Sequence, residues 1–191
     1  MARIRDAQKT EQIYQATLEL VLKQGLSGLK MADVAAQAGL ATGTVYIYFK
    51  DKDELINHLY AHLKAKSDSA FTGEPEEDES VKKSLRKIWK QYFTFRLAHL
   101  HESAFLEQYH RSPFQKERKK KGAGSEYHPF QSVIRIGQEE KKLIKAETGI
   151  VFALLTGPLH ELIRLHISGN VKITPALMDD TFDRIWESIK R

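Results

Sequence analysis

The chain has no cysteine. Disulfides, thiolate metal sites and cysteine nucleophiles are therefore excluded outright. It also lacks a long unbroken apolar run. The most apolar stretch, Ile150 to Ile167, is interrupted by Gly157-Pro158 and carries His160, Glu161 and Arg164. It reads as a buried helix rather than a membrane span. The opening Met1-Ala2-Arg3-Ile4-Arg5-Asp6 has no apolar core of a secretory signal. The expectation is a soluble, cytoplasmic protein with no membrane partner. No segment alternates apolar and polar residues as a half-buried strand does. No large charge excess is present either: the net charge is +5 over 191 residues. That balance suits a polyanionic partner without specifying one.

Helical periodicity fills the space that these absences leave, and the expected class is all-α. A first helix is predicted over about Lys9 to Gln24, with Ile13, Ala16, Leu20 and Val21 on one face and Gly25 as its stop. A short helix follows at about Met31 to Ala38, ended by Gly39. A second short helix runs from about Thr42 to Tyr48. Asp51-Lys52-Asp53-Glu54 then reads as a capping box, opening a helix striped by Leu55, Ile56, Leu59, Tyr60 and Leu63.

Gly73, Pro75 and an acidic cluster over Glu74 to Glu79 break the pattern. The expected division is residues 1–52 as one domain and 53–191 as a second, helical one. In the second, Val81, Leu85, Ile88, Trp89, Tyr92 and Phe93 mark a strong amphipathic helix. Shorter helices carry Phe105, Leu106 and Tyr109, then Phe130, Val133 and Ile134. Two long helices close the chain, the last opened by Thr174-Pro175.

Two short helices joined by Gly39-Leu40-Ala41 are too small to fold alone. They need the first helix and the Asp51 helix as a platform, and that arrangement is a helix-turn-helix. It suits pushing one exposed helix into a DNA major groove about 12 Å wide. Val45 and Phe49 anchor inward. Thr42, Gly43, Thr44, Tyr46, Ile47 and Tyr48 are then expected to face the groove. Glycine allows close approach, hydroxyls suit phosphates, and a threonine methyl or isoleucine suits a thymine methyl. The competing reading of these residues alone is a buried helix in an ordinary bundle.

Gly25, Val34-Ala35, Ala38-Gly39, Gly43-Thr44-Val45-Tyr46, Tyr48-Phe49, Lys52 and Glu54-Leu55 resemble, in order and spacing, the DNA-binding domain of the tetracycline-repressor (TetR) family. The resemblance covers about Ile13 to Leu63; the rest matches only in layout. It implies an all-helical homodimer whose two heads read a near-palindromic double-stranded operator. It also implies a C-terminal ligand-binding and dimerisation domain, and a repressor released when a small effector binds. By position, Lys52 looks like a phosphate contact and Lys30 like a backbone contact at the entrance to the first short helix. Many members carry Ser or Thr where this chain has Lys30 and Ala41, so two helix caps are missing, at about 1 kcal/mol each.

For a ligand pocket the candidates are Leu59, Leu63, Trp89, Phe93, Phe105, Tyr109, Phe130 and Ile134, although most of them read first as plain core. They point to an apolar or aromatic ligand, with Arg96, His99, His101 and His110 as polar tethers. For the dimer interface the candidates are Phe152, Leu155, Leu159, Leu162, Ile163, Phe182, Ile185, Trp186 and Ile189, each divided between intrachain core and dimer contact. An architectural or protein-partnered DNA binder without a small-molecule ligand is the alternative function.

Arg3-Ile4-Arg5 reads either as an arm reaching DNA or as a frayed terminus. Lys116 to Lys121 reads as a solvated basic loop. His58 and His62 are half of a metal site at best, with no third ligand at a telling spacing. Gly122-Ala123-Gly124 has no strand before it, which weakens a phosphate-loop reading. No catalytic constellation, metal site or cofactor motif stands out, and no enzymatic activity is expected.

Overall fold

The computed structural model describes residues 6–70, 79–115 and 129–191. The Arg3-Ile4-Arg5 arm, most of the acidic break, Lys116 to Lys121 and Gly122 to Gly124 lie outside the described residues. The elements are α1 (Ala7–Gly28), α2 (Met31–Gln37), α3 (Thr42–Tyr48), α4 (Lys52–Ala70), α5 (Val81–Ala98), α6 (Leu100–His110), α7 (Pro129–Glu139), α8 (Thr148–Ile167) and α9 (Pro175–Ile189). No strand occurs among the described residues. The nearest thing is an isolated antiparallel bridge between Leu143 and Lys190. The described chain groups into two compact units: residues 6–66 with 101–115, and the described parts of 67–100 with 129–191.

In the first unit, Asp6 caps α1 by accepting from the Gln8 N–H at 2.9 Å. The α1 stripe of Ile13, Ala16, Leu18 and Val21 is buried. α2 and α3 have seven residues each. Isolated helices below about 12–15 residues are marginal in water, so packing must hold both. Val34 and Val45, both 0% exposed, supply it, and each fully buried aliphatic side chain contributes roughly 1.5–3 kcal/mol. The turn between them passes through Gly39 at φ 65°, a left-handed conformation that costs glycine little.

The cap forms as the spacing predicts, with the return bond of the box shifted to the residue before the cap. Asp51 accepts from the Glu54 N–H at 2.8 Å, while Glu54 reaches back to the Lys50 N–H at 2.7 Å. α4 then buries Leu55, Ile56, Leu59 and Leu63. α6 joins this same core through Phe105, Leu106 and Tyr109. The Tyr109 ring stacks on Tyr60 at 4.0 Å, and its hydroxyl donates to Asn57 at 2.9 Å. Lys66 pairs with Glu102 at 2.6 Å.

The second unit is built around Trp89 on α5, fully buried, whose indole N–H donates to the Leu155 carbonyl of α8 at 2.8 Å. Phe93 and Phe182 pack their rings 5.0 and 5.7 Å from it. α9 starts as its sequence predicts, with Thr174 accepting from the Leu177 N–H at 3.2 Å. An ionic seam runs along α5 and α9. Lys82 reaches Asp183 at 3.2 Å, Arg86 reaches Asp179 and Asp183, and Lys90 reaches Asp179 at 2.6 Å. By length and composition alone, α8 is the one helix among the described residues apolar enough to cross a membrane. Here it buries Val151, Leu155, Leu159 and Ile163 in the unit's core and carries a Glu161–Arg164 pair at 2.8 Å.

Candidate nucleic-acid interface

The packing of the first unit leaves one side of α3 uncovered. Tyr46 is 50% exposed and Ile47 54%, among the most exposed large apolar side chains described. Thr42 and Gly43 are exposed as well, and Thr44 is half-buried. A Cβ added at Gly43 would meet open space. The outward face of α3 therefore presents hydroxyl, methyl and aromatic groups with no charged side chain.

Tyr48 departs from the expected outward set. It is 6% exposed, and its hydroxyl accepts from the Asp6 backbone N–H at 3.2 Å. The reason is helical geometry: Tyr48 lies three residues after Val45 and next to Phe49, so all three occupy one stripe. Val45 and Phe49 are buried as expected, at 0% and 3%.

Both short helices begin without a side-chain cap. Lys30 and Ala41 hold the two N-cap positions and make no capping hydrogen bond. Lys30 is exposed. Lys52 is half-buried, and its ammonium donates to the Ser27 carbonyl at 3.0 Å. An ammonium has three donors, so this bond leaves two for a phosphate oxygen.

The eight ligand candidates are all buried, and they divide between two cores. Leu59, Leu63, Phe105 and Tyr109 belong to the first unit, Trp89, Phe93, Phe130 and Ile134 to the second. An open depression of about 370 Å³ in the second unit is lined by Gln131, Ser132, Arg135 and Thr148. None of the expected residues line it. Among the tethers, Arg96 is 4% exposed, its guanidinium 5.8 Å from the Tyr92 ring. The Tyr92 hydroxyl is 3.1 Å from His160. His99 instead stacks on Phe95 at 4.3 Å, while His101 and His110 are exposed. His58 and His62 lie 3.9 Å from Glu54 and Glu11 respectively, as pairing histidines do.

The dimer candidates differ in how much surface they keep within this chain. Leu155, Leu159, Ile163, Phe182, Ile185 and Ile189 are buried within the second unit and have almost no surface to offer a second chain. Phe152, Leu162 and Trp186 keep part of theirs. The apolar surface that sequence reasoning missed is on α8, where Ile150, Leu154 and Ile167 are 51%, 38% and 40% exposed.

Residues 13–59 match the profile of "Bacterial regulatory proteins, tetR family", and residues 80–190 match that of "Tetracyclin repressor-like, C-terminal domain". An HTH-type transcriptional regulator of Haemophilus influenzae is 25% identical over 181 residues, 95% of each chain. The fatty acid metabolism regulator protein of Bacillus subtilis is 28% identical over 100 residues, 52% of this chain and 51% of its own. A TetR-family regulator structure from Haemophilus influenzae superposes with TM-score 0.77 at 25% identity, covering 99% of this chain and all of that one. One from Marinobacter aquaeolei shares the fold with TM-score 0.79 at 19% identity, covering 97% of each. With the second profile spanning more than half of the chain, the protein belongs to the tetR family and is a transcriptional regulator with a DNA-binding helix-turn-helix.

Proposed function

We propose that the protein is a dimeric repressor that holds a near-palindromic operator and leaves it when a small apolar or aromatic effector binds. The observation that carries the DNA half is the uncharged, exposed face of α3, with Tyr46 and Ile47 at its centre. Thr42, Gly43 and Thr44 belong to the same reading surface, and Lys30 and Lys52 hold phosphates beside it. Phosphate contacts position a protein on the duplex, and base-edge contacts specify the sequence. Tyr48 supports the face from behind rather than reading bases.

Residues 1–52 carry the DNA reading and residues 53–191 the regulation. Dimerisation uses the exposed side of α8 at Ile150, Leu154 and Ile167, with the half-buried Leu162 and Trp186 contributing. The effector is apolar with a polar end, a reading supported by the buried Arg96 close to the Tyr92–His160 pair in an otherwise apolar core. The Bacillus subtilis relative named for fatty acid metabolism is consistent with an amphipathic effector of this kind.

The test is selection of duplexes from a random pool by the purified protein at near-physiological salt. Enrichment of a motif with two-fold symmetry is expected. Retention of DNA without any enriched motif would leave an architectural binder as the better description.

A further inference from the structure

α1 is not continuous. Gly25 has φ 78° and ψ 164°, outside the helical range, and the helix resumes for only one more turn before Leu29. This break swings the Leu26 N–H out of the helix and opens the corner that leads to α2. A side chain from far along the chain fills it. Gln108 of α6 accepts from the Leu26 N–H at 2.7 Å and donates to the Val21 carbonyl at 3.2 Å. Its two bonds grip the backbone on both sides of Gly25, and a Cβ on Gly25 would lie 3.5 Å from its carbonyl oxygen.

The corner held this way borders both lysines assigned to phosphates. Ser27, one residue beyond Leu26, supplies the carbonyl that anchors the Lys52 ammonium at 3.0 Å. Lys30, three residues further on, is the N-cap of α2. Leu29 between them is 2% exposed and fixes the segment to the core. Gln108 thus stands behind the one short stretch that places both lysines.

We propose that Gln108 is a positioning residue for DNA binding: it locks the α1–α2 corner in the geometry that aims Lys52 and Lys30 at phosphates. The proposal rests on those lysines being phosphate contacts. Gln108 itself touches no DNA and acts through Leu26 and Ser27.

The experiment is a double-mutant cycle on the full-length protein, with a random-sequence duplex as probe. Random DNA is appropriate because non-specific binding is almost wholly a phosphate term. Wild type, Gln108→Met, Lys52→Ala and the double variant are titrated across a salt series, and the melting temperature of each is recorded. Lys52→Ala should lower the slope of log K against log salt by about one, and weaken binding about three- to tenfold. Gln108→Met keeps the side-chain length and removes both hydrogen bonds. It should lower the affinity and the slope in the same direction, and the double variant should be little weaker than Lys52→Ala alone.

Gln108→Glu keeps the acceptor for Leu26 but turns a carboxylate oxygen toward the Val21 carbonyl, so it too should lower the affinity and the slope. It also serves in place of Gln108→Met should that variant fail to fold. A lower melting temperature with an unchanged salt slope in both Gln108 variants would overturn the proposal. So would independent, multiplying losses in the double variant. A Lys52→Ala slope equal to wild type sinks the phosphate reading of the lysine instead, which is a separate result.

Discussion

At the scale of single residues, side-chain chemistry on α3 decides what the head recognises. Tyr46 is half exposed and makes no contribution to the buried stripe of Val45, Tyr48 and Phe49. Tyr46→Ala should therefore leave folding unchanged and weaken binding to the selected motif by about 1–3 kcal/mol, measured against random DNA in the same buffer. An unchanged preference would move the reading face elsewhere. Gly25 makes the opposite case, a residue with no side chain whose backbone does the work. Its φ and ψ lie in a region essentially closed to other residues, so Gly25→Ala should destabilise by about 1–3 kcal/mol in denaturant melts. Inward anchors Val45 and Phe49 were legible because apolar residues four apart share a helix face. Tyr48 was misread although the same rule, taken at a spacing of three, assigns it to the core. Gln108 was invisible: a glutamine at an unremarkable position gives no sign that a broken helix elsewhere will need its amide.

At the scale of elements, start signals were the most legible feature. Asp51–Glu54 and Thr174-Pro175 cap α4 and α9 as their residue types require. Missing caps were legible too, since Ala41 offers no oxygen to the first turn of α3. Ala41→Ser should raise the stability of the protein by about 0.5–2 kcal/mol in a denaturant titration, unless the serine fails to reach the free N–H groups. The α5–α9 seam gives an element-level prediction in pH. The hydrogen bond from Lys82, aided by the charge of Arg86 and opposed by desolvation, holds the Asp183 carboxyl below its usual 3.8. A carboxyl whose folded pKa is depressed contributes stability above its unfolded pKa and loses it as pH falls through the folded one. Asp183→Asn should thus lower the melting temperature slightly at neutral pH, and the difference should shrink as the pH falls below the usual carboxyl value of 3.8 and through the lower folded one. Partners for each helix were the illegible part. Amphipathic spacing says that α6 has a buried face, but not that the face belongs with α1 and α4.

At the scale of the whole molecule, the all-helical class was readable from periodicity and the helix-turn-helix from the Gly39 to Lys52 spacing, while the return of residues 101–115 to the first unit was not. Ligand and dimer surfaces were not, because a large apolar side chain looks the same in sequence whether it fills a core, lines a cavity or meets a second chain. On α8 the exposed apolar side chains are the ones left for a partner. Leu154 is 38% exposed between the buried Val151 and Leu155. Leu154→Glu should shift the protein from dimer to monomer in sedimentation or light scattering while preserving its helical circular dichroism. It should also reduce operator affinity strongly, because each half-site would then bind alone. A variant that stays dimeric at low concentration would point to another surface.

The first unit is not one stretch of chain: Phe105, Leu106 and Tyr109 return to it after an excursion of more than thirty residues into the second. A single crossover between this gene and a relative's, placed anywhere from α4 to α6, would give a chimaera whose head is closed by another protein's helix. Only those relatives whose α6 side chains complement this head would tolerate the exchange. Transplanting the head of this protein onto a relative's second unit therefore calls for two grafted segments, residues 6–66 and 101–115, and not one.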